Sequence, residues 1–148
     1  MKNKIQPPTY FLIGAVAAGV LHFVWPVAQF IDSPWRWLGV ALVVLGGAIN
    51  IWADQLFAKH GTTVKAHEKP AYLIVFGPFR ASRHPMYLGM AIILLGIAVS
   101  SGTVGAFIPA IAFVFIMEKL FIPIEEQNLL ETFGQKYLNY KQKTRRWL

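Results

Sequence analysis

Cysteine is absent from the 148-residue chain, which excludes disulfides, thiolate metal sites and a cysteine nucleophile. Charge is also scarce. Only 14% of residues are charged, against about 25% in an ordinary soluble domain. Acid is scarcest, with seven Asp and Glu in all, so each carboxylate calls for a partner or a role. The four histidines are scattered and no pair has metal-ligand spacing, so no metal site is expected. No Gly-x-Gly-x-x-Gly follows a strand pattern, which removes the dinucleotide fingerprint of soluble α/β folds. A secretory signal is not expected either: the apolar run after the basic start is long, contains His22, Trp25 and Pro26, and shows no small-residue cleavage site. Repeats and low-complexity tracts are missing.

What is present is apolar length. The chain is 55% hydrophobic, with mean hydropathy +0.47, concentrated in residues 10–31, 35–57, 86–100 and 103–122. Three of these runs reach the ~20 residues that cross a ~30 Å hydrocarbon core as helix. The third is short, so its helix is expected to begin near residues 82–85. The reading is an all-α polytopic membrane protein, a single domain over 1–148. About four transmembrane helices form two hairpins, with a C-terminal amphipathic helix added. Residues 1–57 are the first hairpin and 58–148 the half that carries the site. The hairpins are closed by residues 32–34 and 101–102, and Pro109 is expected to kink the fourth span.

Basic residues are distributed unevenly. With four spans, every lysine and arginine except Arg36 falls on one side or at its border. The positive-inside rule places that side, both termini included, in the cytoplasm. We expect an integral protein of a bacterial or archaeal cell membrane. The basic residues form no stripe on a soluble fold, so nucleic acid is not an expected partner. Trp25, Trp35 and Trp37 read as an aromatic belt at the opposite boundary.

Polar residues gather at three places. Residues 80–90 put Arg80, Arg83 and His84 beside Pro85 at the start of an apolar helix, where proline suits the first turn and free N–H groups favour an anion. Glu125 and Glu126 are adjacent acids close to the membrane, and a cationic partner is expected for them. Leu129, Phe133, Tyr137 and Tyr140 then recur at helical spacing, as one face of an amphipathic helix. Asn50 and Asp54 share a face of the second span, and Asp54 is expected to reach the interface or pair with Lys59 or Arg83. Glu118, seven residues before Glu125, is expected to face the same cavity. His22 reads as a packing residue.

Two segments taken together carry a resemblance. Gly77-Pro-Phe-Arg-Ala-Ser-Arg83-His84-Pro85-Met86-Tyr87-Leu-Gly89 is followed, after two apolar helices, by Glu125-Glu126-x-x-Leu129-x-x-x-Phe133-Gly134-x-x-Tyr137-x-x-Tyr140. This closely resembles the isoprenylcysteine carboxyl methyltransferases and the related membrane phospholipid methyltransferases, over about the C-terminal half. The resemblance implies a membrane enzyme using S-adenosyl-L-methionine, with a lipid or lipophilic acceptor reached from the bilayer. It makes residues 58–148 the cofactor-binding half. It implies cofactor contacts from Ala71, Tyr72, Leu73 and Ile74, from Phe79 (where some members have tyrosine), from His84, Pro85, Met86 and Tyr87, and from Glu125 toward the cofactor's amino group. Arg83, Glu118 and Glu126 remain candidate catalytic residues. Where relatives that methylate prenylcysteine carry an arginine, this chain has Phe121, which points toward a more apolar or amine-bearing lipid. Two other readings stay open: a membrane reductase of sterol-reductase type using NADPH, and a small scaffold that keeps the fold without activity. Neither acceptor nor oligomeric state follows from the sequence.

Overall fold

The computed structural model describes residues 6–26, 28–62 and 70–148. Lys2, Lys4, Lys65 and Lys69, which contribute to the inside-positive pattern, lie outside them. The described residues form helices α1 (Pro7–Val24), α2 (Trp37–Lys59), α3 (Pro85–Ser101), α4 (Phe107–Ile116), α5 (Ile122–Phe133) and α6 (Gln135–Lys143). Short 3₁₀ turns occupy Gly77–Arg80 and Val104–Ala106, and a π-helical turn, Met117–Phe121, joins α4 to α5. No strand occurs among the described residues; Gln29 and Thr103 make an isolated bridge.

Local chemistry explains the helix ends. Pro7 and Pro85 open α1 and α3 in the first turn, where no N–H is needed. Residues 25, 26 and 28–31 do not continue α1 as their hydropathy predicts, because Pro26 cannot supply the next ladder donor. The connector to α2 therefore runs from 25 to 36. Gly102, at φ 73°, closes α3 with its N–H on the Ala98 carbonyl. Pro109 falls in the first turn of α4, and the departure from α-geometry comes later, at 117–121. Gly134, at φ 51°, divides the expected amphipathic helix into α5 and α6.

Residues 7–24, 37–59 and 104–133 are long and apolar enough to cross a membrane, and 85–101 is a shorter apolar helix. The stretch 104–133 has 30 residues. At ~1.5 Å per residue it exceeds a ~30 Å core by about 15 Å, so its last turns, with Glu125 and Glu126, reach the boundary. The starts of α1 and α3 and the end of α2 share that end of the bundle.

The centre is the α2–α3 pair. Gly39 and Gly46 of α2 face Gly96 and Gly89 of α3, and a Cβ at Gly46 would stand 2.5 Å from the Gly89 carbonyl oxygen. Small residues seven apart on both helices let the backbones touch, as lipid-embedded helices require. α1 packs on α3 and α4 rather than forming the tight hairpin expected with α2. The twelve-residue connector gives it the reach, and the apolar surface of α3 and α4 gives it a seat: Phe11 and Tyr10 meet Phe113 and Phe121 edge to face. Thus α1 and α2 flank α3 with a crevice between them.

The opposite end is tied by polar contacts. Arg36 donates to the carbonyls of Ile31 and Ser101, and His22 Nδ1 lies 3.2 Å from Thr103 Oγ1.

Candidate functional site

The site forms where the start of α3, the start of α5 and the chain's last residues meet. Ser82, fully buried, fixes the approach to α3: its hydroxyl receives the His84 N–H at 3.2 Å and donates to the Arg146 carbonyl at 3.1 Å. The Arg83 N–H donates to the Arg145 carbonyl at 3.0 Å. Residues 82–83 and 145–146 therefore run side by side, and Pro85 starts the helix immediately beyond.

His84 and Tyr87, three apart, present one face. Their rings stack with centroids 5.8 Å apart and planes at 5°. Glu125, in the first turn of α5, receives both: His84 Nδ1 lies 3.1 Å from Oε2, and the Tyr87 hydroxyl donates to Oε1. Glu125 keeps 19% of its side chain exposed, against 4% for His84. Burial alone would lower the His84 pKa below its ordinary 6.5, but the hydrogen bond to Glu125 and the nearby charges of Glu125 and Glu126 outweigh it and raise it.

Glu126 turns the other way. Its Oε1 accepts from Arg83 Nη2 at 2.7 Å and Arg146 Nε at 3.0 Å. Its Oε2 accepts from Arg146 Nη2 at 2.9 Å and Lys141 Nζ at 3.2 Å. Glu118 takes the other side of Arg146 and the Trp147 indole N–H, the latter at 2.9 Å. Contrary to the expectation from heptad spacing, Glu118 shares its partner with Glu126 and not with Glu125. The intervening π turn closes i→i+5 bonds and takes up about one more residue than an α turn. Arg83 is committed to Glu126 and, through Nη1, to the Lys141 carbonyl. The ion pair considered between Asp54 and Arg83 or Lys59 does not occur.

Beside this charged layer lies an apolar wall. Ile74, Phe79, Tyr137 and Tyr140 are buried with Ala53, and Leu73, Met86, Leu129 and Phe133 pack against them. The Tyr140 hydroxyl donates to the Phe79 carbonyl at 2.6 Å, docking α6 on the 77–80 turn. The apolar face of the amphipathic tail is thus spent on this wall. Ala71 and Tyr72 sit at its edge, where Thr62 Oγ1 accepts both backbone N–H groups and Tyr72 stacks on His60.

Three buried polar atoms here have no hydrogen-bond partner: Arg83 Nε, His84 Nε2 and Tyr137 Oη. His84 Nε2 lies 3.6 Å from Glu126 Oε1, beyond hydrogen-bond range. Burial first, then the Glu126 charge, pushes the Tyr137 hydroxyl up to about 12. Donors without partners, one accessible carboxylate and an apolar wall suit a ligand carrying both charges and a flat apolar part. The parts that sequence reasoning missed are Ser82, Arg146 and Trp147. Their signal was the scarcity of acid: Glu118 and Glu126, set in apolar sequence, required cations, and Arg145-Arg146-Trp147 was the unassigned basic group.

A family model described as phospholipid methyltransferase matches residues 34–136. A Haemophilus influenzae protein described as uncharacterized is 40% identical over 63 residues, 43% of this chain and all of that relative. Protein-S-isoprenylcysteine O-methyltransferase B of Arabidopsis thaliana is 28% identical over 140 residues, covering 87% of this chain and 68% of the plant protein. The family match spans well over half of the chain and contains His84, Tyr87 and Glu125, so this integral membrane protein belongs to the phospholipid methyltransferase family.

Proposed function

We propose that the chain transfers a methyl group from S-adenosyl-L-methionine to a lipid or lipophilic acceptor, at the cytoplasmic face of its membrane. The observation that carries this reading is the joining of His84, Tyr87 and Glu125 by hydrogen bonds between two distant segments of chain. When bound, the cofactor supplies an activated methyl group. Glu125 suits its ammonium, because the carboxylate is accessible and its two present partners can yield to a cation. Arg83 Nε and the Nε2 of protonated His84, both donors without an acceptor, suit its carboxylate. Ile74, Phe79 and Met86 suit its adenosyl part, with Tyr137 offering a hydroxyl.

Methyl transfer is an in-line displacement that needs alignment and no protein nucleophile. Arg83, Glu118 and Glu126 are better read as positioning groups, since Arg83 is paired with Glu126 and the charges of Glu118 and Glu126 are spent on Arg146 and Lys141. Their work is to hold the chain's last residues against the start of α3, so that the His84–Tyr87 face stays aimed at Glu125. The basic ends and the boundary position of Glu125 support a cytoplasmic site.

Calorimetric titration of the detergent-purified protein tests the reading. S-adenosylmethionine should bind, and His84→Ala with Tyr87→Ala should abolish binding in a monodisperse protein. Binding of NADPH in its place would favour the reductase. Binding of neither would leave the scaffold.

A further inference from the structure

Arg146 lies outside residues 34–136, which match the family model, yet it grips both acids of the charged layer. Its Nε and Nη2 meet Glu126 Oε1 and Oε2 at 3.0 and 2.9 Å, and its Nη1 meets Glu118. The first two form a side-on fork, the arrangement that fixes both oxygens of one carboxylate together. The remaining contacts to Glu126 are single. Arg83 Nη2 takes Oε1 at 2.7 Å, and Lys141 Nζ takes Oε2 at 3.2 Å from a side chain that is 44% exposed. The orientation of the Glu126 carboxylate therefore depends chiefly on Arg146.

Its neighbours determine where that carboxylate would turn without the fork. His84 Nε2 is buried, has no hydrogen-bond partner and stands 3.6 Å from Glu126 Oε1. With Nδ1 already on Glu125, Nε2 is the one donor that protonated His84 has left. A shift of about half an ångström would bring Oε1 within ordinary hydrogen-bond distance of it. A buried donor without an acceptor is costly, so the pair would close. Glu126 would then fill a position that suits the carboxylate of a ligand.

We propose that Arg146 is a positioning residue of the cofactor site: its fork holds the Glu126 carboxylate off His84 Nε2 and keeps that donor open to a carboxylate-bearing ligand. The proposal rests on the methyltransferase reading for the identity of the ligand. Arg146 acts through Glu126 and touches no reacting atom.

The full chain in detergent is titrated calorimetrically with S-adenosylmethionine and with its decarboxylated analogue, which keeps the ammonium and lacks only the carboxylate. The wild type should favour S-adenosylmethionine by about tenfold or more, the worth of one charge-assisted hydrogen bond. Arg146→Met should lose most of that preference, by weakening S-adenosylmethionine and sparing the analogue. Arg146→Lys keeps the charge without the fork, so it should melt nearer to wild type and still lose much of the preference. Arg146→Met combined with Glu126→Leu removes the fork and the intruding carboxylate together. That double variant should bind S-adenosylmethionine more tightly than Arg146→Met alone. A role confined to tying down the chain's last residues would weaken both ligands equally and leave the double variant no better, and either result would overturn the proposal. Full preference in Arg146→Lys would do the same. So would equal wild-type affinity for the two ligands, whether or not any variant folds. In each of these cases S-adenosylmethionine still binds the wild type and the methyltransferase reading stands; its failure to bind the wild type would sink that reading and the proposal with it.

Discussion

Replacing each of the two adjacent glutamates by glutamine should produce opposite losses. Glu126 is 8% exposed and receives four charge-assisted N–H contacts, from Arg83, Lys141 and twice from Arg146. Glutamine keeps one carbonyl acceptor and turns an NH₂ toward cations, leaving three positive groups facing one another. Removing one partner from a buried charged cluster costs about 3–5 kcal/mol. In a chain of this size, each kcal/mol lowers the melting temperature by about 2–4 °C, so Glu126→Gln should melt about 6–20 °C below wild type. Glu125 has two partners and more exposure. The amide still accepts from Tyr87, and His84 can release its proton, so the loss should stay near 1 kcal/mol, or about 2–4 °C. The cofactor's amino group would lose a charged acceptor worth about 1.5–3 kcal/mol, tenfold or more in affinity. Melting in detergent followed by tryptophan fluorescence, with calorimetric titration of S-adenosylmethionine, separates the two. Comparable melting temperatures for both variants would refute the division of labour between these neighbours.

Three further outcomes are expected. His84 has a raised pKa, so its pairing with Glu125 stabilises the fold fully below pH 6.5 and is lost as pH rises through the raised value. The wild-type melting temperature should fall over that interval, and His84→Gln should lack this slope. Gly46→Val puts side chain where 2.5 Å remains to the Gly89 carbonyl, so α2 and α3 must separate, and the variant should be recovered aggregated, whereas Gly47→Val, with open space around it, should stay monodisperse on size exclusion. Topology reporters at Ser101 and after Leu148 should score on opposite sides of the membrane, with the latter cytoplasmic; the same side for both would remove the cytoplasmic site.

Hydropathy showed that the chain is built of apolar helices, because lipid demands long runs and little else does. It did not show which helix α1 would choose. Between helices already in lipid, burying more apolar surface gains little, so partners are decided by close packing and by connector length. Gly39, Gly46, Gly89 and Gly96 carried that information as matched seven-residue spacings, and they specify α2 against α3. Pro26 carried the rest. It ends α1 early and lengthens the connector, which frees α1 to cross onto α3 and α4.

The site was legible in its motifs and illegible in its phase. His84 and Tyr87 lie three apart at the start of α3, so their shared face follows from helical spacing. The relation of Glu118 to Glu125 and Glu126 depends on every residue between them being α-helical. The π turn at Met117–Phe121 breaks that condition, and hydropathy carries no sign of it. A slip of about one residue sends Glu126 toward Arg146 beside Glu118 and leaves Glu125 for His84 and Tyr87. Two adjacent carboxylates on a helix point about 100° apart. One can therefore be buried among cations while its neighbour stays open to a ligand, and the turn preceding them determines which does which.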